Sequence, residues 1–184
     1  EPIGAMMLTY LSRKLCTDTA FQEEMGYTWY IIKAADIDGT KLNEGWFKGP
    51  ITLTNYARHF FRPTAEEQVE WTFPVDYKTL HFHQPIPETK ALMKIIDEVK
   101  PDFMFSLHNS GFGGAYWYIS QEAPEIYTAL HQKTVDLGIP LHLGEPEAPY
   151  IKQLYPAIFR LNGIEEEYDY MEKYGDGKDP AKEI

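Results

Sequence analysis

The sequence predicts an α/β fold, a mixed and mostly parallel sheet flanked by helices, and three observations carry that expectation. Short apolar runs rich in β-branched and aromatic residues, Thr28 to Ala35 (TWYIIKAA) and Asp102 to Leu107 (DFMFSL), have the length and composition of buried strands. Between them Glu88 to Val99 (ETKALMKIIDEV) repeats its apolar residues at the i, i+3, i+4 spacing of a helix that faces a core. Strand and helix then alternate toward the C-terminus, the pattern of a sheet covered by helices, with ligands expected at the carboxyl ends of the strands.

In chain order, Met6, Met7, Tyr10, Leu11 and Leu15 lie at helical spacing behind Pro2, so a helix is expected over about residues 3 to 16. Thr28 to Ala35 follows as a strand, and Asp36-Ile37-Asp38-Gly39 as a turn. From there to about Pro87 no period is sustained, while Gly, Pro, Trp, Phe and His are frequent. Such a stretch inside a domain is expected to be a loop that builds a site. The helix from Glu88 to Val99 is preceded by Pro87 and closed by Pro101. Next come the strand Asp102 to Leu107, a Gly-rich turn through Gly114, a strand Ala115 to Ile119, and a helix Pro124 to Leu137 that ends at Gly138. The tail from Glu165 to Ile184 is charged.

Residues 1–184 read as a single domain, since the length of 184 residues is enough for one core. Seventeen Lys plus Arg stand against 28 Asp plus Glu, a net charge of −11. That balance opposes binding to nucleic acid or to an anionic membrane. The one cysteine, Cys16, excludes an intrachain disulfide framework and favours a reducing, cytoplasmic setting. No apolar run reaches the roughly 20 residues of a membrane helix. Glu1-Pro2-Ile3-Gly4 runs straight into the helical pattern, so the chain looks cut at its start.

His108 is the most informative histidine, because it ends an apolar strand before a Gly-rich turn that lets other groups come close. It reads either as a metal ligand or as a hydrogen-bonding strand cap. Glu1 before Pro2 likewise reads as a ligand or as a favourable charge at a helix N-terminus. Taken together, Glu1-Pro2-Ile3-Gly4-Ala5, Asp36-Ile37-Asp38-Gly39 and Ser106-Leu107-His108-Asn109-Ser110 resemble, in order and spacing, three motifs of the zinc carboxypeptidase family. The first is similar to the remainder of the family's His-Pro-x-Glu-Pro string, whose histidine would lie just before this chain.

The resemblance implies the zinc carboxypeptidase-like version of the α/β fold, and zinc held by Glu1 and His108. It also implies that Arg62 polarises the scissile carbonyl, with Arg58 as the alternative. Arg58, Asn109 and Tyr116 are expected to contact substrate, Tyr116 through the aromatic run Tyr116-Trp117-Tyr118. The family's Asn-Arg pair, which clamps a terminal carboxylate, is replaced by Thr72 and Phe73 in Val69-Glu70-Trp71-Thr72-Phe73. No residue matches the late catalytic glutamate, and Glu165, Glu166 and Glu167 read as a solvated helix face.

Rival groups are weaker. His142-Leu143-Gly144-Glu145-Pro146 repeats the string, but no histidine follows it in the chain. His81 and His83 share a strand face without a third donor, and Asp36-x-Asp38-Gly39 lacks the further acids of a calcium loop. Cys16 has no adjacent histidine, and Ser110 lacks a nucleophile elbow. The expected activity is zinc-dependent hydrolysis of a peptide or amide bond, carboxypeptidase-like. The alternative is a non-catalytic module binding peptide or glycan. The 184 residues alone, with two of three zinc ligands, are expected not to hydrolyse peptides at a useful rate.

Overall fold

The computed structural model describes residues 2–108, 113–144 and 146–184. The chain divides into two compact units, Glu1–Val75 with Phe82–Asn109, and Asp76–His81 with Ser110–Ile184.

In the first unit, α1 (Pro2–Thr17) places Pro2 at the first helical position, where its missing N–H and fixed φ cost nothing. Lys14 pairs with Asp18 at 2.7 Å, and Asp18 caps α2 (Thr19–Met25) by accepting from the Phe21 amide. Asp36 caps α3 (Ile37–Leu42) in the same way through the Gly39 amide, so the expected turn is a helix start. α4 (Glu44–Phe47) and α5 (Leu53–His59) follow, and Trp46 meets Tyr56 edge to face at 5.1 Å between ring centroids. The stretch without a period is therefore made, as far as His59, of short helices each too brief to display one, and beyond that of a 3₁₀ turn (Ala65–Glu67) and a short hairpin.

α6 (Pro87–Val99) has Pro87 at its N-terminus and is locked to the turn before it by a buried hydroxyl pair. Thr72 Oγ and Thr89 Oγ are 2.6 Å apart, Thr89 donates to the Val69 carbonyl at 2.9 Å, and both threonines have no exposure. α6 ends at Lys100 in the left-handed region, φ 47°, held by its N–H on the Ile96 carbonyl before Pro101.

In the second unit the hairpin tip between β1 (Val75–Tyr77) and β2 (Leu80–Phe82) docks on α8 (Ile164–Tyr174). The Lys78 ammonium reaches Asp169 at 2.7 Å and Glu172 at 2.6 Å, the Tyr77 hydroxyl donates to Asp169, and Thr79 and Tyr168 share a hydroxyl bond. The core of this unit is a three-stranded sheet of order β3-β5-β4, formed by β3 (Trp117–Ile119), β4 (Gln153–Tyr155) and β5 (Ile158–Arg160). β3 runs parallel to β5, and β4 antiparallel to it. Ile158 and Phe159 are fully buried, α7 (Pro124–Asp136) contributes Tyr127, and α8 contributes Tyr168. The His131 ring on α7 bonds the Pro156 carbonyl at 2.6 Å and so ties down the β4–β5 turn. α9 (Pro180–Glu183) closes the tail.

The expected mixed, mostly parallel sheet flanked by helices is not the architecture. The described residues are 47% helical, with two small sheets of two and three strands. Helices were expected at the right places near α1, α6 and α7, and the strand near Trp117. The strands expected over 28–35 and 102–107 belong to no sheet. A strand owes its hydrogen bonds to a neighbour, and among the described residues neither segment has one. Both leave apolar side chains in solvent, Tyr30 at 63%, Phe103 at 71% and Phe105 at 77% exposure.

Candidate functional site

The site implied by the sequence begins where α1 meets the segment that follows α6. Gly4 is buried in the first turn of α1, and a Cβ placed on it would stand 3.0 Å from the Leu107 carbonyl oxygen and 3.4 Å from Leu107 Cβ. Glycine lets the helix rest directly on this backbone, where a larger residue would push the Leu107 peptide back. The contact sets the motif around Gly4 against the residue that precedes His108. The His108 imidazole is exposed, with Nε2 2.9 Å from Ser106 Oγ two residues back. A cation bound through Nε2 would displace that bond, and one bound through Nδ1 would leave it. Glu1 and Asn109 lie outside the described residues.

The second part of the site is the helical cluster α3 to α5 and the chain leaving it. Asn43, between α3 and α4, uses its whole carboxamide. Nδ2 donates to the Gly39 carbonyl at 2.8 Å and the Phe61 carbonyl at 2.9 Å, while Oδ1 accepts from the Phe61 amide at 3.0 Å and from Trp46 Nε1 at 2.7 Å. Asn55 on α5 donates to the Gly45 carbonyl at 3.0 Å, closing the cluster from the other side. Arg58 is exposed in the last turn of α5. Arg62 is exposed and donates from Nη2 to Gln68 Oε1 at 3.3 Å, and Gln68 Nε2 donates back to the Pro63 carbonyl at 3.0 Å. Among the described residues no carboxylate forms an ion pair with Arg58 or Arg62. In a chain of net charge −11 that is notable, because the ordinary fate of a surface arginine there is an acidic partner.

Tyr116 belongs to the second unit. Its hydroxyl donates to Glu147 Oε1 at 2.5 Å, the Tyr118 hydroxyl donates to Oε2 at 3.2 Å, and the two rings meet at 87°. Burial, then the Glu147 charge beside it, push the Tyr118 hydroxyl well above its ordinary pKa. The turn before β3 is compressed against the chain at 140–142. Gly113 and Gly114 have φ of 100° and 108°, and a Cβ on Gly114 would lie 2.3 Å from the Pro140 oxygen. The glycines thereby permit the parallel bridge of Ala115 to Leu141.

The structure thus brings Gly4 onto Leu107, next to His108, and places Arg58 at the end of α5 and Arg62 on the chain leaving it, in the same unit, while Tyr116 belongs to the other. Asn43, Gln68 and Glu147 escaped the sequence reading. The Asn43 bond spans 18 residues and the Tyr116 bond 31 residues, and no local pattern records such contacts. Among the described residues no three His, Cys, Asp or Glu side chains are grouped to hold a metal ion. No family model, no curated protein and no solved structure matches this chain.

Proposed function

We propose that the chain carries part of a zinc-dependent hydrolase site acting on a peptide or amide bond, with Glu1 and His108 as metal ligands and Arg62 facing the scissile carbonyl. The observation that carries the reading is the contact of Gly4 with the Leu107 backbone. Gly4 lies three residues after one proposed ligand and Leu107 one residue before the other. Bound there, zinc would acidify a water and polarise a carbonyl. His108 is accessible, and its exchangeable bond to Ser106 can orient the ring, as outer partners of metal-bound histidines do. Arg62, planar, charged at all ordinary pH and without an acidic partner among the described residues, is suited to an oxygen that gains negative charge.

The test is zinc binding and hydrolysis in the same preparations. Zinc is titrated against a chromogenic chelator, and blocked and free-carboxylate peptides are assayed with wild type, Glu1→Gln, His108→Ala and Arg62→Gln. The reading expects zinc affinity to fall in the first two variants and to persist in Arg62→Gln, with any hydrolysis lost in all three. Zinc affinity indifferent to both Glu1 and His108 would overturn it.

A second reading, a non-catalytic module for peptide or glycan, is favoured by one feature of the second unit. The rings of Trp117, His131 and Tyr155 follow one another with centroids 6.2 and 4.9 Å apart and end at the exposed Tyr155, an aromatic edge of the kind on which apolar ligand faces stack. Retained ligand binding by zinc-free protein that hydrolyses nothing would select this reading.

A further inference from the structure

The carboxamide of Asn43 grips the Phe61 peptide by both its N–H and its C=O, in the manner of a neighbouring strand, at 3.0 and 2.9 Å. The same carboxamide is held by Trp46 Nε1 and the Gly39 carbonyl, so its own orientation is determined. All its donors and both faces of its acceptor are in use, which makes the grip rigid. Phe61 immediately precedes Arg62, whose guanidinium is steadied by Gln68, itself anchored on the Pro63 carbonyl. The arginine is therefore held at two points, the preceding backbone by Asn43 and the head group by Gln68, while the residue stays exposed. Such an arrangement is costly to build for a side chain that serves only solubility.

We propose that Asn43 is a positioning residue which, with Gln68, presents Arg62 to a ligand oxyanion, a carboxylate or a carbonyl oxygen acquiring negative charge. This rests on the assignment of Arg62 to the hydrolytic site but adds to it the residues that aim the group. The gain is pre-organisation: the fork of N–H donors is already placed, so binding does not have to order the chain from Phe61 to Pro63.

The experiment is an acetate titration of the full chain in the absence of zinc and substrate, followed on the ¹⁵Nε–Hε resonance of Arg62, which is identified by its loss in Arg62→Lys. Wild type should show a saturable shift. Asn43→Ala should weaken acetate by about tenfold, the scale of a misplaced binding group. Gln68→Ala, at a half-exposed position that leaves the clamp intact, should weaken it less and raise the mobility of the Nε–Hε group on the nanosecond scale. Leu15→Ala, a buried change in α1 of the same unit, controls for general loss of stability and should leave acetate affinity unchanged. Acetate binding equal in wild type, Asn43→Ala and Gln68→Ala, or absent in wild type, overturns the proposal. A wild type that binds acetate as described, but whose zinc affinity is indifferent to Glu1→Gln and His108→Ala, refutes the hydrolase and leaves the arginine clamp standing.

Discussion

Replacing Gly4 tests the joint between α1 and the backbone at Leu107 directly, and two opposing effects set the outcome. Alanine in place of a helical glycine contributes roughly 0.5–1 kcal/mol through reduced freedom of the unfolded chain. Against this, the added Cβ would stand 3.0 Å from the Leu107 oxygen, so the Leu107 peptide must retreat by a few tenths of an ångström. Leu107 is 43% exposed and belongs to no sheet, so it can yield. Gly4→Ala should therefore lie within about 0.5 kcal/mol of wild type. Gly4→Val brings two further carbons that no small retreat can accommodate, and β-branching adds a helix penalty. Its cost should be about 1–3 kcal/mol, the range of overpacked sites. Both variants should move the His108 Cε1–H resonance, since His108 is bonded to Leu107. Urea unfolding and the imidazole region of the NMR spectrum measure the two effects. A Gly4→Val protein with wild-type stability and an unmoved His108 resonance would mean that the start of α1 does not rest on this segment, and the reasoning for the metal site would fail with it.

Other outcomes follow from the two units separately. Thr89→Val removes the hydroxyl that donates to the Val69 carbonyl in a place without exposure and should cost about 1–3 kcal/mol, whereas Thr89→Ser, losing only a methyl, should cost about 1 kcal/mol. Equal losses in the two variants would deny the hydroxyl pair its role. In the second unit, the Lys78 ammonium and then the Tyr77 hydroxyl hold Asp169 below its ordinary value of 3.8. Asp169 thus contributes stability that is present above that value and fades as pH falls through the depressed one. Lys78 is raised by Asp169 and Glu172 above its ordinary 10.5, so its contribution is complete below pH 10.5 and is lost only as pH rises through the raised value. Lys78→Met should lower stability at neutral pH and flatten the acid limb of a stability profile taken below about pH 4. An unchanged limb would remove the network from the stability of the hairpin tip.

What the sequence determined by itself is the set of structures whose hydrogen bonds are local. α1, α6 and α7 were legible because a helix bonds each residue to its fourth neighbour, and because Pro2, Pro87 and Pro124 mark first turns where the missing N–H is harmless. The left-handed Gly138 after α7 was legible for the same reason. The Asp36 string was half legible: its side chain does bond the Gly39 amide, but the chain continues into a helix instead of turning back. Tertiary structure alone decided the sheets. The run Thr28 to Ala35 and the run Asp102 to Leu107 have the composition of strands, yet composition supplies no partner, and β3 became a strand because β5 lies beside it across some forty residues. The site divides along the same line. Residue type and position singled out His108, and the motif resemblance Arg62, whereas the glycine that carries α1 onto Leu107 and the asparagine that grips Phe61 act through contacts between parts of the chain that only the folded backbone brings together.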